Sequence, residues 1–159
     1  MRFGLALLAG LSVAAGAQTT GRAAVKHATG SFEVTMTPEA QAPAPEGGVP
    51  TSRMALHKSF TGGFLGEAHG TMLAAGTPAA GQAASYVAID QVSGTLEGRR
   101  GGFVLVHRGT MSSAGADLSV IIAPDSGTGG LEGISGTLAI EVKDGKHLYD
   151  LTYSLPDRP

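Results

Sequence analysis

Asp144-Gly145-Lys146-His147-Leu148-Tyr149-Asp150-Leu151-Thr152-Tyr153-Ser154-Leu155 reads as a turn followed by one strand. His147, Tyr149, Leu151, Tyr153 and Leu155 fall on one side, and Leu148, Asp150, Thr152 and Ser154 on the other. Successive side chains of a strand point to opposite faces, so this two-residue period predicts a β-strand. Asp144-Gly145 ahead of it is a strong signal for a two-residue hairpin turn. The partner strand upstream is Leu131–Lys143, interrupted by Gly133 and Gly136.

The same alternation recurs toward the N-terminus. In Gly102–Met111, Phe103, Leu105 and His107 share a face opposite Val104, Val106 and Arg108. Gly98-Arg99-Arg100-Gly101 is predicted as a tight hairpin joining this run to Tyr86–Glu97. Further runs are Ser31–Thr37, Arg53–Thr61, Phe64–Leu73 and Asp117–Ala123. In the second of these, Met54, Leu56, Lys58 and Phe60 share a face. Pro38–Ser52, with four prolines, and the Ala- and Gly-rich Ala74–Ala84 are loops, and Pro124–Gly130 is a corner. No long window has helical periodicity. Eight strands in meander order predict an all-β domain, a single antiparallel, mostly up-and-down β-barrel. A two-sheet sandwich is the alternative, because strand number does not separate the two. Alternation also leaves open which parity faces inward, since a one-residue slip exchanges the faces.

The length of 159 residues suits one domain. Residues 1–17 have the three parts of a secretory signal: Arg2, the apolar run Leu5–Ala15, and the small residues Ala15-Gly16-Ala17. Cleavage is predicted between Ala17 and Gln18, followed by a short leader over 18–29 and a barrel domain over 30–156. The expected location is secreted or periplasmic. The apolar run is shorter than the ~20 residues a membrane span needs, so no span is expected after signal removal. A formal charge of −2 without any basic stretch speaks against nucleic acid as a partner. The absence of Cys excludes disulfides, thiol nucleophiles, Cys-ligated zinc and iron–sulfur clusters.

Several segments together resemble a known family. These are Gly94-Thr-Leu-Glu-Gly98-Arg99, Gly102-Phe103-Val-Leu-Val-His107, Pro124-Asp-Ser126-Gly127-Thr128-Gly129, Gly133-Ile-Ser-Gly136 and Lys146-His147-Leu-Tyr149. Gly30-Ser-Phe32-Glu-Val, Lys58-Ser-Phe60 and Tyr86-Val-Ala88 fit as well. The pattern, over about residues 30–155, resembles the bacterial DUF3224 family, which is similar in fold to the allene oxide cyclase barrel. Asp90 stands where that family usually has Glu, and Gly130 where it tends to be acidic. The resemblance implies a barrel and no particular reaction.

For chemistry, the mixed face of the last strand is the main candidate. His147, Tyr149 and Tyr153, joined by Phe103, Leu105 and His107 from the fifth run, would line an interior pocket of apolar walls with a few polar groups. The competing reading is an interior filled by those same side chains. Five histidines occur, at 27, 57, 69, 107 and 147. His57 and His69 can approach across a hairpin, but no carboxylate clearly joins them, and Glu67 and Glu97 read as isolated strand positions. No metal site and no cofactor are therefore expected. Asp125-Ser126-Gly127-Thr128 has the signature of an aspartic protease, but Pro124 precedes it and a second carboxylate would need a dimer. It reads as a turn. Arg99-Arg100 reads as a solvated hairpin tip.

Three functions follow. The first is an exported barrel binding a small apolar or amphipathic molecule inside. The second, implied by the allene oxide cyclase likeness, is a cofactor-independent cyclase or isomerase with His107, Tyr149 and Tyr153 as polar candidates. The third is a structural or partner-binding envelope protein working through its outer faces. The sequence leaves the oligomeric state open, a homo-oligomer included.

Overall fold

The computed structural model describes residues 23–76 and 82–157. The predicted signal segment and the centre of the Ala74–Ala84 loop lie outside the described residues. Nine strands follow in order: β1 (Val25–Glu39), β2 (Thr51–Gly62), β3 (Phe64–Gly76), β4 (Ala84–Leu96), β5 (Arg99–Ser112), β6 (Gly115–Ile122), β7 (Thr128–Gly129), β8 (Ser135–Lys143) and β9 (Lys146–Ser154). Among the described residues there is no helix. Neighbouring strands pair antiparallel in the order β4-β3-β2-β1-β9-β8-β6-β5, and β4 pairs β5 to close the ring. The result is a closed eight-stranded up-and-down barrel. The two-residue β7 only adds to the end of β5, at Gly101 and Gly102. Ring closure gives every strand of the barrel a neighbour on both sides, as in folds that bury their sheet edges. The seam is thinnest between β6 and β8, where Ile121 and Thr137 form the single paired position.

The pleat settles the parity. Phe103, Leu105 and His107 on β5 are buried, as are Tyr149, Leu151, Tyr153 and Leu155 at the C-terminal end. Phe32, Phe60, Phe64, Ala68 and Val92 complete the ring from β1 to β4. The rings of Phe32, Phe60, Phe64 and Phe103 follow one another at centroid distances of 5.2, 5.7 and 5.7 Å. Tilted and edge-on contacts of this kind add stability beyond burial alone.

One end of the barrel is plugged. The chain between β6 and β8 folds across it and inserts Leu131 and Ile134 beside Leu96 and Leu155, all four nearly inaccessible. The Asp125–Thr128 run is spent on this corner. Ser126 Oγ donates to the Ala123 carbonyl (2.7 Å) and accepts from Val104 N (3.1 Å), and Thr128 Oγ1 accepts from Gly102 N (3.1 Å).

The observed elements differ from expectation at their ends. β1 begins at Val25 instead of Ser31, because Val25–Phe32 pair with β9 and this partner lies over a hundred residues away. The turn between β4 and β5 falls at Glu97-Gly98, and Arg99 and Arg100 already pair with Leu96 and Thr95. Both turn residues have positive φ, 52° and 72°, as a two-residue primed turn requires. Arg99 is therefore no hairpin tip, and its guanidinium donates to the Pro156 carbonyl at 2.7 Å. Leu131–Ile134 belongs to the corner, so the strand predicted from Leu131 starts at Ser135.

Candidate functional site

The end opposite the plug is open. A cavity of about 220 Å³ enters the barrel there, walled by Phe32, Val34, Leu56, Met72, Ala88 and Ile140. Met36, Leu118 and Val142 stand at its exposed rim. Tyr86 lies half-buried on the wall and packs across the strand pair onto Gly109, where a Cβ would come within 2.1 Å of the ring. Burial, then the nearby Asp90 charge, push the Tyr86 phenol pKa up.

Where this cavity meets the packed core, three ionisable groups converge. Lys58 on β2, Asp90 on β4 and His107 on β5 are all buried, Asp90 completely. Lys58 Nζ and His107 Nε2 both donate to Asp90 Oδ2, the latter at 2.9 Å. Asp90 Oδ1 has no hydrogen-bond partner among the described residues. Burial raises the Asp90 pKa, but the His107 hydrogen bond and the charge and hydrogen bond of Lys58 more than offset this and hold it below the ordinary carboxylate value. Lys58 Nζ also sits 5.8 Å from the centre of the Phe32 ring, within reach of a cation–π attraction.

The strands explain the convergence. Lys58 and Asp90 both have inward parity but are separated by β3. Two strand spacings amount to ~10 Å, which only a long side chain crosses. Ala68 and Gly70 leave β3 low at that point, and a Cβ on Gly70 would lie 2.1 Å from Asp90 Oδ1. A buried carboxylate is costly unless paired, and two donors on one oxygen meet that cost here.

The candidate residues read from the sequence divide between the two ends. His107 and His147 line the cavity, His147 stacked on Phe32 at 5.0 Å. Phe103, Leu105, Tyr149 and Tyr153 pack in the core, away from the cavity lining. The Tyr149 hydroxyl accepts from Phe64 N at 3.0 Å and donates to the Thr61 carbonyl at 3.0 Å, locking the β2–β3 turn. Burial and the Glu97 carboxylate push the Tyr153 phenol up to about 12. Lys58 and Asp90 are the site residues that motif reasoning passes over. Their signal is a charge of each sign at an inward position of an otherwise apolar strand face. For metals, His57, Glu67 and His69 on the outer wall are the one group of three or more candidate ligands among the described residues.

The family model described as a protein of unknown function (DUF3224) matches residues 28–153. The chain belongs to the DUF3224 family. A crystal structure of a DUF3224 protein of unknown function from Shewanella oneidensis MR-1 is 41% identical, with a TM-score of 0.77. The match covers 85% of this chain and all of that one. No curated protein matches the chain. The DUF3224 match reaches every strand of the ring, starting within β1 and ending within β9, and includes all three members of the buried charged cluster.

Proposed function

We propose that this DUF3224 barrel is an exported binding protein for a small amphipathic molecule whose polar head carries a hydrogen-bond acceptor such as a carboxylate. The head enters the cavity toward Lys58 and His107, and the apolar remainder lies against Phe32, Met72 and Ile140. The carrying observation is the Lys58–Asp90–His107 cluster at the floor of an otherwise apolar, open-mouthed cavity. Pockets of this type combine apolar walls with a few placed polar groups. Lys58 has three donors, and Asp90 takes one of them. A volume near 220 Å³ is below the ~300–1,000 Å³ of drug-sized pockets but above the ~150 Å³ cavity that admits benzene. The head is thus about one ring in size, and a longer tail passes out through the mouth. Export rests on the pattern of residues 1–17.

The test is a nuclear magnetic resonance screen of aromatic and branched aliphatic carboxylates against their neutral amides and alcohols. The expected result is saturable binding that shifts Phe32, Ala88 and His107 signals and favours the carboxylates. If no compound of either kind perturbs these three residues, the proposal fails.

A second reading, cofactor-independent isomerisation or cyclisation, is favoured by the Asp90–His107 pair. A carboxylate that orients an imidazole beside a cavity is the arrangement of a general base. It predicts turnover that disappears in His107→Gln while ligand binding persists. Equal turnover by that variant would remove this reading.

A further inference from the structure

We propose that His57, His69 and Glu67 form a divalent transition-metal site on the outer wall of the barrel, separate from the interior cavity. His57 on β2 and His69 on β3 are directly opposite in register. Their rings stack at a centroid distance of 4.7 Å. Glu67 lies two residues before His69 and so shares the same outer face. Its Oε2 is 3.7 Å from His57 Nε2. One ligand atom from each of the three residues lies within 4.8 Å of the others.

Two imidazoles and a carboxylate form a donor set suited to Zn²⁺, Ni²⁺ or Cu²⁺ and poorly suited to Mg²⁺ or Ca²⁺, which prefer all-oxygen shells. Tetrahedral zinc with ligand bonds near 2.1 Å places its donors about 3.4 Å apart. Closing from the present separation calls for side-chain rotation, and the side chains of His57 and Glu67 have room for it, being 43% and 61% exposed. The backbone is already fixed by paired strands on both sides, Thr35 opposite His57 and Gln91 opposite His69. Neither neighbour brings a cation to repel the ion. Three protein donors leave a further coordination position for water or a small anion. Glu67 and His69 also border an outer groove that Ser93, Arg100 and Ser126 line.

The experiment uses the full exported chain without any histidine tag and titrates Zn²⁺ by calorimetry, with Co²⁺ absorption as a report on ligand type. One Zn²⁺ per chain is expected, and Mg²⁺ should not compete. His57→Ala and His69→Ala should each weaken binding by more than the ~10–100-fold that loss of an outer-shell partner costs. Glu67→Gln should weaken it less than either. His27, which bonds Asp150 at 2.9 Å elsewhere on the wall, is the control, and His27→Ala should bind as the wild type does. In the unaltered protein, Zn²⁺ should shift the imidazole signals of His57 and His69 and leave those of His107 and His147 in place. Absence of stoichiometric binding, binding that survives in the His57→Ala/His69→Ala double variant, or imidazole shifts confined to other histidines would each overturn the proposal.

Discussion

His107 Nε2 lies 2.9 Å from Asp90 Oδ2, although the strand register places His107 opposite Ala88 and Asp90 opposite Leu105. The contact is therefore diagonal, reaching one pleat along the barrel axis toward the plug. It turns the imidazole along the axis, so that one ring edge meets the carboxylate while the ring also lines the cavity. An ionised carboxylate only accepts, which places the proton on Nε2.

Breaking the charged cluster should destabilise the fold strongly. Asp90→Asn leaves the Lys58 ammonium buried without its counter-ion, a change that costs about 3–5 kcal/mol. Replacing both charges, as in Lys58→Met with Asp90→Leu, should recover most of that loss, because neither side chain then needs a partner. Urea unfolding midpoints of wild type, single and double variants decide this. A double variant no better than Asp90→Asn would show that the cluster matters through shape instead of charge.

The same carboxylate should leave a signature in acid. Its folded pKa is depressed. A depressed acid contributes stability that is fully present above its unfolded value, ~3.9, and is lost as pH falls through the folded value. The stability gap between wild type and Asp90→Asn should thus be constant above about pH 5 and shrink below about pH 4. A gap that stays constant through the acid range contradicts this assignment.

All three tyrosines should resist ionisation in the folded protein. Burial is the largest cause for each, with the Asp90 charge adding to it at Tyr86 and Glu97 adding to it at Tyr153. Raised phenol values contribute stability below the unfolded value near 10, and this is lost as pH climbs through the folded one, about 12 for Tyr153. Phenolate ultraviolet absorbance should therefore appear only above the ordinary range, together with alkaline unfolding. A tyrosine that titrates reversibly near pH 10 in the folded barrel would contradict the burial assigned to its phenol.

Two substitutions should separate binding from folding. Ala88→Phe projects a ring into the cavity and should abolish carboxylate binding at a cost of no more than the ~1–3 kcal/mol typical of overpacking, since the cavity receives it. Tyr149→Phe removes the hydroxyl that Phe64 N and the Thr61 carbonyl use, and should cost about 1–3 kcal/mol with affinity unchanged. Denaturation and ligand titration on both variants provide the check. If Tyr149→Phe weakens binding as much as Ala88→Phe, the division between plug and mouth is wrong.

The ring of eight strands was legible because its signals are local. The Leu131–Leu155 region shows the alternation and Asp144-Gly145 the turn, and the latter has positive φ at both residues, 50° and 75°. What stayed hidden depends on distant chain. The first residues of β1 are held by β9, and no local pattern marks Val25–Thr29 as a strand. The Leu131–Ile134 stretch has strand-like composition, yet it caps the barrel because its apolar side chains complete the plug. Among site residues, His107 and His147 were readable from alternation on β5 and β9. Lys58 and Asp90 were not read as a pair, because pairing across an intervening strand depends on barrel curvature and on the small residues Ala68 and Gly70. Glu67 looked isolated along the chain, and only the β2–β3 register brings it to His57.

Among the described residues, the corner that inserts Leu131 and Ile134 makes the barrel a vessel closed at one end. A molecule of the proposed kind would enter head first and leave tail first, past Met36 and Val142. Selection would then operate on the end that goes in first and ignore the length of what trails behind. Molecules with one common head and very different tails would compete for the same place.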